Sequence, residues 1–220
     1  MKSIKAILIA AITICLSSCF EIIEDLTINQ DGSGKFKYII NFSQSAPKIK
    51  SLLLMDEVEG VAVPTEKVMK SKFDKVCLLT KKAKGISAVN YQSDFENYIF
   101  TYSCSFNKTS SLNAALDTIK TNFGDDSSGV NYFHYQSNSR RFKRTGDNLI
   151  ENLRQKMSDS QQVIFVGAKY TCLYRFFDEI STTNSARAKL SANQKTSFNQ
   201  LLMSEMIHDG HLIDQEIKLK

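Results

Sequence analysis

The sequence predicts an α+β protein with a largely antiparallel sheet built from hairpins and helices packed on one face. Segments that alternate apolar and polar residues come in pairs around turn signals. Between them lie segments whose apolar residues recur at spacings of three and four. The 220 residues include 2 Pro and 9 Gly, are 42% hydrophobic and 23% charged, and show no fixed repeat. That composition fits a folded globular chain and excludes collagen, coiled coil and disordered tail. No Pro/Gly/Ser linker divides the body, so residues 19–220 read as one domain after a leader over 1–18.

The elements follow in order. Ile22, Glu24, Leu26 and Ile28 share a face at period two, Asn29-Gln30-Asp31-Gly32-Ser33-Gly34 is a turn, and Phe36, Tyr38, Ile40 and Phe42 alternate again. This is a hairpin with one buried face. Ser43 to Pro47 opens a short helix, with proline in the first turn where its missing N–H costs nothing. A second helix is predicted over 65–84, with Met69, Phe73, Val76, Leu79 and Ala83 inward and Gly85 as its stop. Segments 86–92 and 98–106 form another hairpin. Thr109-Ser110-Ser111 caps a third helix with a stripe of Leu112, Ala115, Leu116, Ile119 and Phe123. Short strands over 130–136 and 140–144 follow, then a fourth helix from Asp147 through Met157, a strand over 170–177, a polar hairpin of 186–191 with 196–202, a helical turn, and a terminal strand over 212–219.

The N-terminus is a targeting segment. Lys2 and Lys5 precede an apolar stretch from Ala6 to Leu16 that is too short to cross a hydrocarbon core of about 30 Å. These are the proportions of a secretory signal peptide. The closing Leu16-Ser17-Ser18-Cys19 resembles a bacterial lipobox. The resemblance implies that Cys19 is acylated and begins the mature chain, anchored in a membrane by its own lipid. Phe20 in the next position, where Asp would signal retention, implies the outer membrane by the sorting rule of Gram-negative bacteria. Strand-like sequence starts at once after Cys19, so the body is expected close to the lipid surface. The strand after the cysteine, the hairpin NQDGSGKFKYIINFS and the later AKYTCLYRF are similar to uncharacterised envelope lipoproteins of Bacteroidota. That resemblance carries no active site with it.

Charge and cysteines narrow the partners. Lys+Arg 28 against Asp+Glu 23 gives +5, and the leader removes two of the bases, too mild an excess for nucleic acid. Arg140-Arg141-Phe142-Lys143-Arg144 is a candidate contact to anionic headgroups, the four cations being Arg140, Arg141, Lys143 and Arg144. The competing reading is a charged edge strand that blocks unwanted pairing. Beyond Cys15 and Cys19, Cys77, Cys104 and Cys172 remain, an odd set in which a Cys104–Cys172 bridge is conceivable in an oxidising envelope.

Reactive chemistry is not spelled out. His208-Asp209-Gly210-His211 reads as a surface turn, because zinc needs three or four ligands and glycine breaks helical spacing. No nucleophile elbow or phosphate loop occurs. No catalytic residue, metal or cofactor is expected. Aromatic stripes on several strands are tyrosine-rich, and each hydroxyl needs a partner. They read as core, or as the lining of an apolar pocket. The sequence therefore predicts a non-enzymatic, membrane-anchored envelope lipoprotein that binds or supports another envelope component, with a carrier of a lipid or other apolar ligand as the alternative.

Overall fold

The first hairpin organises the molecule. In the computed structural model, which describes residues 20–58, 60–123, 132–146, 162 and 165–220, β1 (Glu21–Ile28) pairs with β2 (Gly34–Asn41) in antiparallel register from Glu21↔Asn41 to Ile28↔Gly34. The turn is held by Asp31, whose carboxylate accepts hydrogen bonds from the Ser33 N–H at 3.0 Å and the Ser33 hydroxyl at 2.6 Å. Gly32 supplies the left-handed φ of 81°. Gly34 is needed for a different reason. A Cβ there would lie 2.0 Å from the Thr27 carbonyl oxygen and 2.5 Å from Cζ of Phe106. Gly34→Ala is therefore expected to cost about 1–3 kcal/mol, the scale of overpacking, in urea denaturation. An unchanged midpoint would contradict this close approach. Residues 1–19 with Cys15 and Cys19, the loop 125–129, the helix expected from Asp147 to Met157, and Val163-Ile164 lie outside the described residues.

The remaining elements are α1 (Ala46–Leu52), the ribbon β3 (Glu57–Val58) with β4 (Val61–Ala62), α2 (Glu66–Lys81), β5 (Ile86–Asp94), β6 (Ile99–Phe106), α3 (Thr109–Asn122), β7 (Phe133–Gln136), β8 (Arg141–Arg144), β9 (Lys169–Phe176), β10 (Ile180–Thr183), β11 (Lys189–Leu190), β12 (Thr196–Leu202), α4 (Met203–Met206) and β13 (Gln215–Leu219). The fold is α+β, mostly antiparallel, with helices alongside the sheets. The strands divide into a seven-stranded sheet in the order β11-β12-β9-β1-β2-β6-β5 and a four-stranded sheet in the order β10-β13-β8-β7. Among the described strands β1 and β9 form the parallel pair, which hairpin logic does not anticipate. β9 sits inside the sheet between β1 and β12, and its consecutive residues Tyr170, Thr171 and Cys172 are all buried, as a central strand requires.

Local signals account for most boundaries. The Thr65 hydroxyl accepts from the Val68 N–H at 3.3 Å and opens α2, and Gly85 ends the turn after it with φ 82°. The cap expected for α3 is used differently. Lys108 is the N-cap residue, while the Thr109 hydroxyl accepts from the Tyr135 N–H and Ser111 donates to Asn107. Asn113, one turn further on, bonds both backbone groups of Phe133 at 2.8 and 3.1 Å. These polar side chains tie α3 to strand β7, the edge of the smaller sheet. β10 has no clear sequence signal, since two of its four residues are exposed. It forms by pairing with β13 and burying Ile180.

The core lies between the two sheets. Phe142 of β8 packs with its ring centroid 5.1 Å from Tyr174 and 5.5 Å from Phe176 of β9. Phe36 of β2 meets Phe133 of β7 at 5.7 Å. Such tilted aromatic pairs add about 0.5–1.5 kcal/mol each beyond the area they bury.

Cys104 and Cys172 are buried free thiols on β6 and β9. Three strand steps separate them, each about 4.7–4.9 Å. That exceeds the roughly 7 Å limit for a disulfide, so the bridge considered from sequence does not form. Burial raises both thiol pKa values, which holds them protonated and inert. Iodoacetamide is expected to modify neither in the native protein and both in denaturant without reductant. Peptide mass spectrometry reads the result, and native labelling of either would contradict their burial.

Candidate functional site

The inner face of β1 carries Ile22, Glu24, Leu26 and Ile28. Glu24 is the exception in this apolar row, and it is only 3% exposed. A buried carboxylate must be paired and hydrogen-bonded. Its partner, Arg144, ends β8 in the other sheet and is 6% exposed. Arg144 Nε donates to Glu24 Oε1 at 2.9 Å and Nη2 donates to Oε2 at 2.8 Å. The hydroxyls of Tyr174 and Tyr170 on β9 donate to the same two oxygens at 2.6 and 2.9 Å. Each carboxylate oxygen thus accepts two hydrogen bonds. Arg144 also donates to the Thr145 carbonyl, and its guanidinium lies over the rings of Phe133 and Tyr132 at 4.9 and 5.4 Å.

Burial is the largest influence and opposes the guanidinium charge, but the charge and hydrogen bonding of Glu24 together with Tyr174 and Tyr170 hold the Arg144 pKa well above its ordinary value. Burial first, and Glu24 among the other causes, raises the pKa of Tyr170 and Tyr174 well above the usual phenol range. The arrangement is a fixed charge pair joining two sheets.

This pair forms part of the wall of a cavity of about 460 Å³. The large sheet contributes Phe36, Tyr38, Tyr102 and Tyr170 to it. Helix α2 contributes Phe73 and Val76, helix α3 contributes Leu116, Ile119 and Lys120, and the C-terminal segment contributes Met203, Met206 and Ile213. The lining from α2 and α3 is half-buried, whereas Glu24, Phe36, Arg144 and Tyr170 are buried. The cavity therefore opens toward the helices and closes against the ion pair. A concave site of this volume, largely apolar with a few fixed polar groups, has the dimensions of small-ligand pockets. Methionines from α4 give one wall an adaptable surface.

The candidate residues named from sequence separate in the structure. Cys19 lies outside the described residues. The four cations of 140–144 do not share a surface. Arg140 has a left-handed φ of 53° and pairs with Asp178 at 2.8 Å. Arg141 pairs with Glu216 at 3.1 Å, and Lys143 is exposed. Arg144 is turned inward to Glu24, so it is withdrawn from any headgroup contact. The edge-strand reading also changes, because β8 runs between β13 and β7 inside its sheet. Strand alternation explains the split: Phe142 and Arg144 face the core while Arg141 and Lys143 face water.

At 208–211, the Asp209 carboxylate accepts from the His211 N–H at 2.9 Å, and His211 Nδ1 lies 3.2 Å from Asp214. Among the described residues no three His, Cys, Asp or Glu side chains gather as metal ligands.

Sequence reasoning missed the Glu24–Arg144 pair, although half its signal was present. Glu24 stands at an inward position of a period-two strand, and such a charge demands a partner. That partner comes from a strand 120 positions away in sequence, which no local pattern reveals.

No protein-family model matches the chain, and no curated protein matches it. Among solved structures it is similar to the folded domain of the Mycobacterium tuberculosis LppM protein, determined by NMR. The TM-score is 0.39 and the identity 14%, over 91% of this chain and 91% of that chain.

Proposed function

We propose that the protein is a non-enzymatic envelope lipoprotein, anchored by acylated Cys19 in the outer membrane, whose body holds the apolar part of a lipid or similar amphiphile. The apolar cavity walled by the buried Glu24–Arg144 pair is the observation that carries this reading. It moves the balance from a protein partner, the first expectation from sequence, toward an apolar ligand. The tyrosine-rich stripes support the same choice, since Tyr38, Tyr102 and Tyr170 line the cavity. Glu24 has all its acceptor positions occupied, which favours a structural role over proton transfer.

The test is direct. The full chain, purified from its own membranes, is expected to release lipid on organic extraction beyond the acyl groups covalently held at Cys19. It is also expected to enhance the emission of a fluorescent fatty acid. The sequence contains 0 Trp, so protein emission does not obscure the probe. Lipid-free protein that leaves the probe unchanged would refute a carrier. A Cys19→Ala chain that still fractionates with membranes, or a mature mass without fatty acid, would refute the anchor.

A further inference from the structure

The formal excess of positive charge on this protein is concentrated in one place. Between residues 66 and 84 there are seven lysines against Glu66 and Asp74. That excess of five equals the +5 of the whole chain, so everything else balances. The stretch is helix α2 and its C-terminal turn. On the helix and its C-cap, positions 67, 71, 75, 78 and 82 are spaced by four, four, three and four, and all five are exposed. They form one outward stripe of Lys67, Ser71, Lys75, Leu78 and Lys82. The opposite side presents Phe73 and Val76 to the cavity.

Apolar side chains stand out among these charges. Leu78 is 54% exposed and Val68 45%. In the segment leading into the helix, Leu54 is 83% exposed, Met55 51% and Val61 57%. Five of the nine large hydrophobic residues exposed in the described structure thus fall within 54–78. Single exposed apolar residues are ordinary, but their concentration in one segment points to an interaction surface. A basic face carrying exposed apolar side chains suits the headgroup region of a bilayer, where lysines meet anionic lipid and apolar groups enter the acyl boundary.

We infer that the outward stripe of helix α2 is the face by which the body lies on an anionic phospholipid surface. Charge complementarity selects the anionic lipid, and the exposed apolar residues favour a bilayer over an acidic protein, which would offer them no apolar phase. The docked helix sets one wall of the cavity against the lipid surface. The inference rests on the membrane placement proposed above and not on the cavity being filled.

The experiment uses the full chain held by its own N-terminus in nanodiscs, with an NBD fluorophore at Ser71→Cys in a Cys77→Ser background. Cys104 and Cys172 are buried and do not label natively. In discs containing phosphatidylglycerol the emission shifts to the blue and dithionite quenching slows. In discs of phosphatidylcholine alone neither occurs. About 1 M salt, where the screening length is about 3 Å, reverses the shift without any further substitution. Lys67→Gln and Lys82→Gln each lower the ratio of docked to undocked protein about fivefold.

Equal emission in the two kinds of disc, or a shift that salt leaves intact, overturns the proposal. So does a shift produced by added polyglutamate and not by phosphatidylglycerol, which would assign the face to an acidic protein. Should the chain fail to enter the discs, the anchoring reading falls, and the same emission read on added phosphatidylglycerol vesicles still decides the docking.

Discussion

Arg144→Met and Glu24→Gln, made singly, are each expected to destabilise the protein by about 3–5 kcal/mol, because each leaves a buried charge without its counter-charge. Made together they lose far less than the sum. The amide introduced by Glu24→Gln keeps an acceptor oxygen for one of the Tyr170 and Tyr174 hydroxyls, which now bond Glu24 at 2.9 and 2.6 Å, and offers an N–H to the oxygen of the other. The thioether introduced by Arg144→Met fills space above Phe133 and Tyr132 where the guanidinium now lies. A double-mutant cycle in urea is expected to give a coupling of at least about 2 kcal/mol, within the range for contacting residues. Additive losses would mean that the two charges do not depend on each other. The surface pairs Arg141–Glu216 and Arg187–Glu205 provide the contrast. Their side chains are roughly half exposed, and such pairs are worth about 0–1 kcal/mol.

Filling the cavity is expected to abolish ligand binding while sparing the fold. Leu116 on α3 and Val76 on α2 both line it and are half-buried, so a larger side chain grows into empty space. Leu116→Trp and Val76→Phe are each expected to weaken fluorescent fatty acid binding at least about tenfold, a change of about 1.4 kcal/mol. Their stabilities stay within about 2 kcal/mol of the parent, the scale of cavity-filling substitutions, because the added atoms enter the cavity and do not overpack the core. Two variants from different helices guard against one that repacks. Unchanged binding in both would place the ligand elsewhere, and the carrier reading would lose its site.

These expectations depend on features that differ in how far the sequence discloses them. The β1–β2 hairpin is local: alternating residues flank an Asp-Gly turn, and the register from Glu21↔Asn41 to Ile28↔Gly34 follows. Helix α2 is local too, with Thr65 at its start and Gly85 beyond its end. Seven lysines lie over residues 66–84, five of them within α2, whereas the four cations of 140–144 crowd together in sequence around Phe142. Closeness in sequence does not give them a common surface. A strand sends neighbours to opposite faces, and Arg144 went inward. A helix instead gathers residues spaced by three and four, so Lys67, Lys75 and Lys82 share one stripe although they are dispersed in sequence.

The sequence by itself determined the fold class, the β1–β2 and β5–β6 hairpins and the bounds of helix α2, because each depends on contacts between near neighbours or on short-range periodicity. Tertiary structure alone decided the split into two sheets, the parallel pairing of β1 with β9, the Glu24–Arg144 bond across the core, and the cavity beside it. Those features join residues more than a hundred positions apart. Their energies come from excluding water between distant segments, and a linear pattern records which residues must be buried without recording against what.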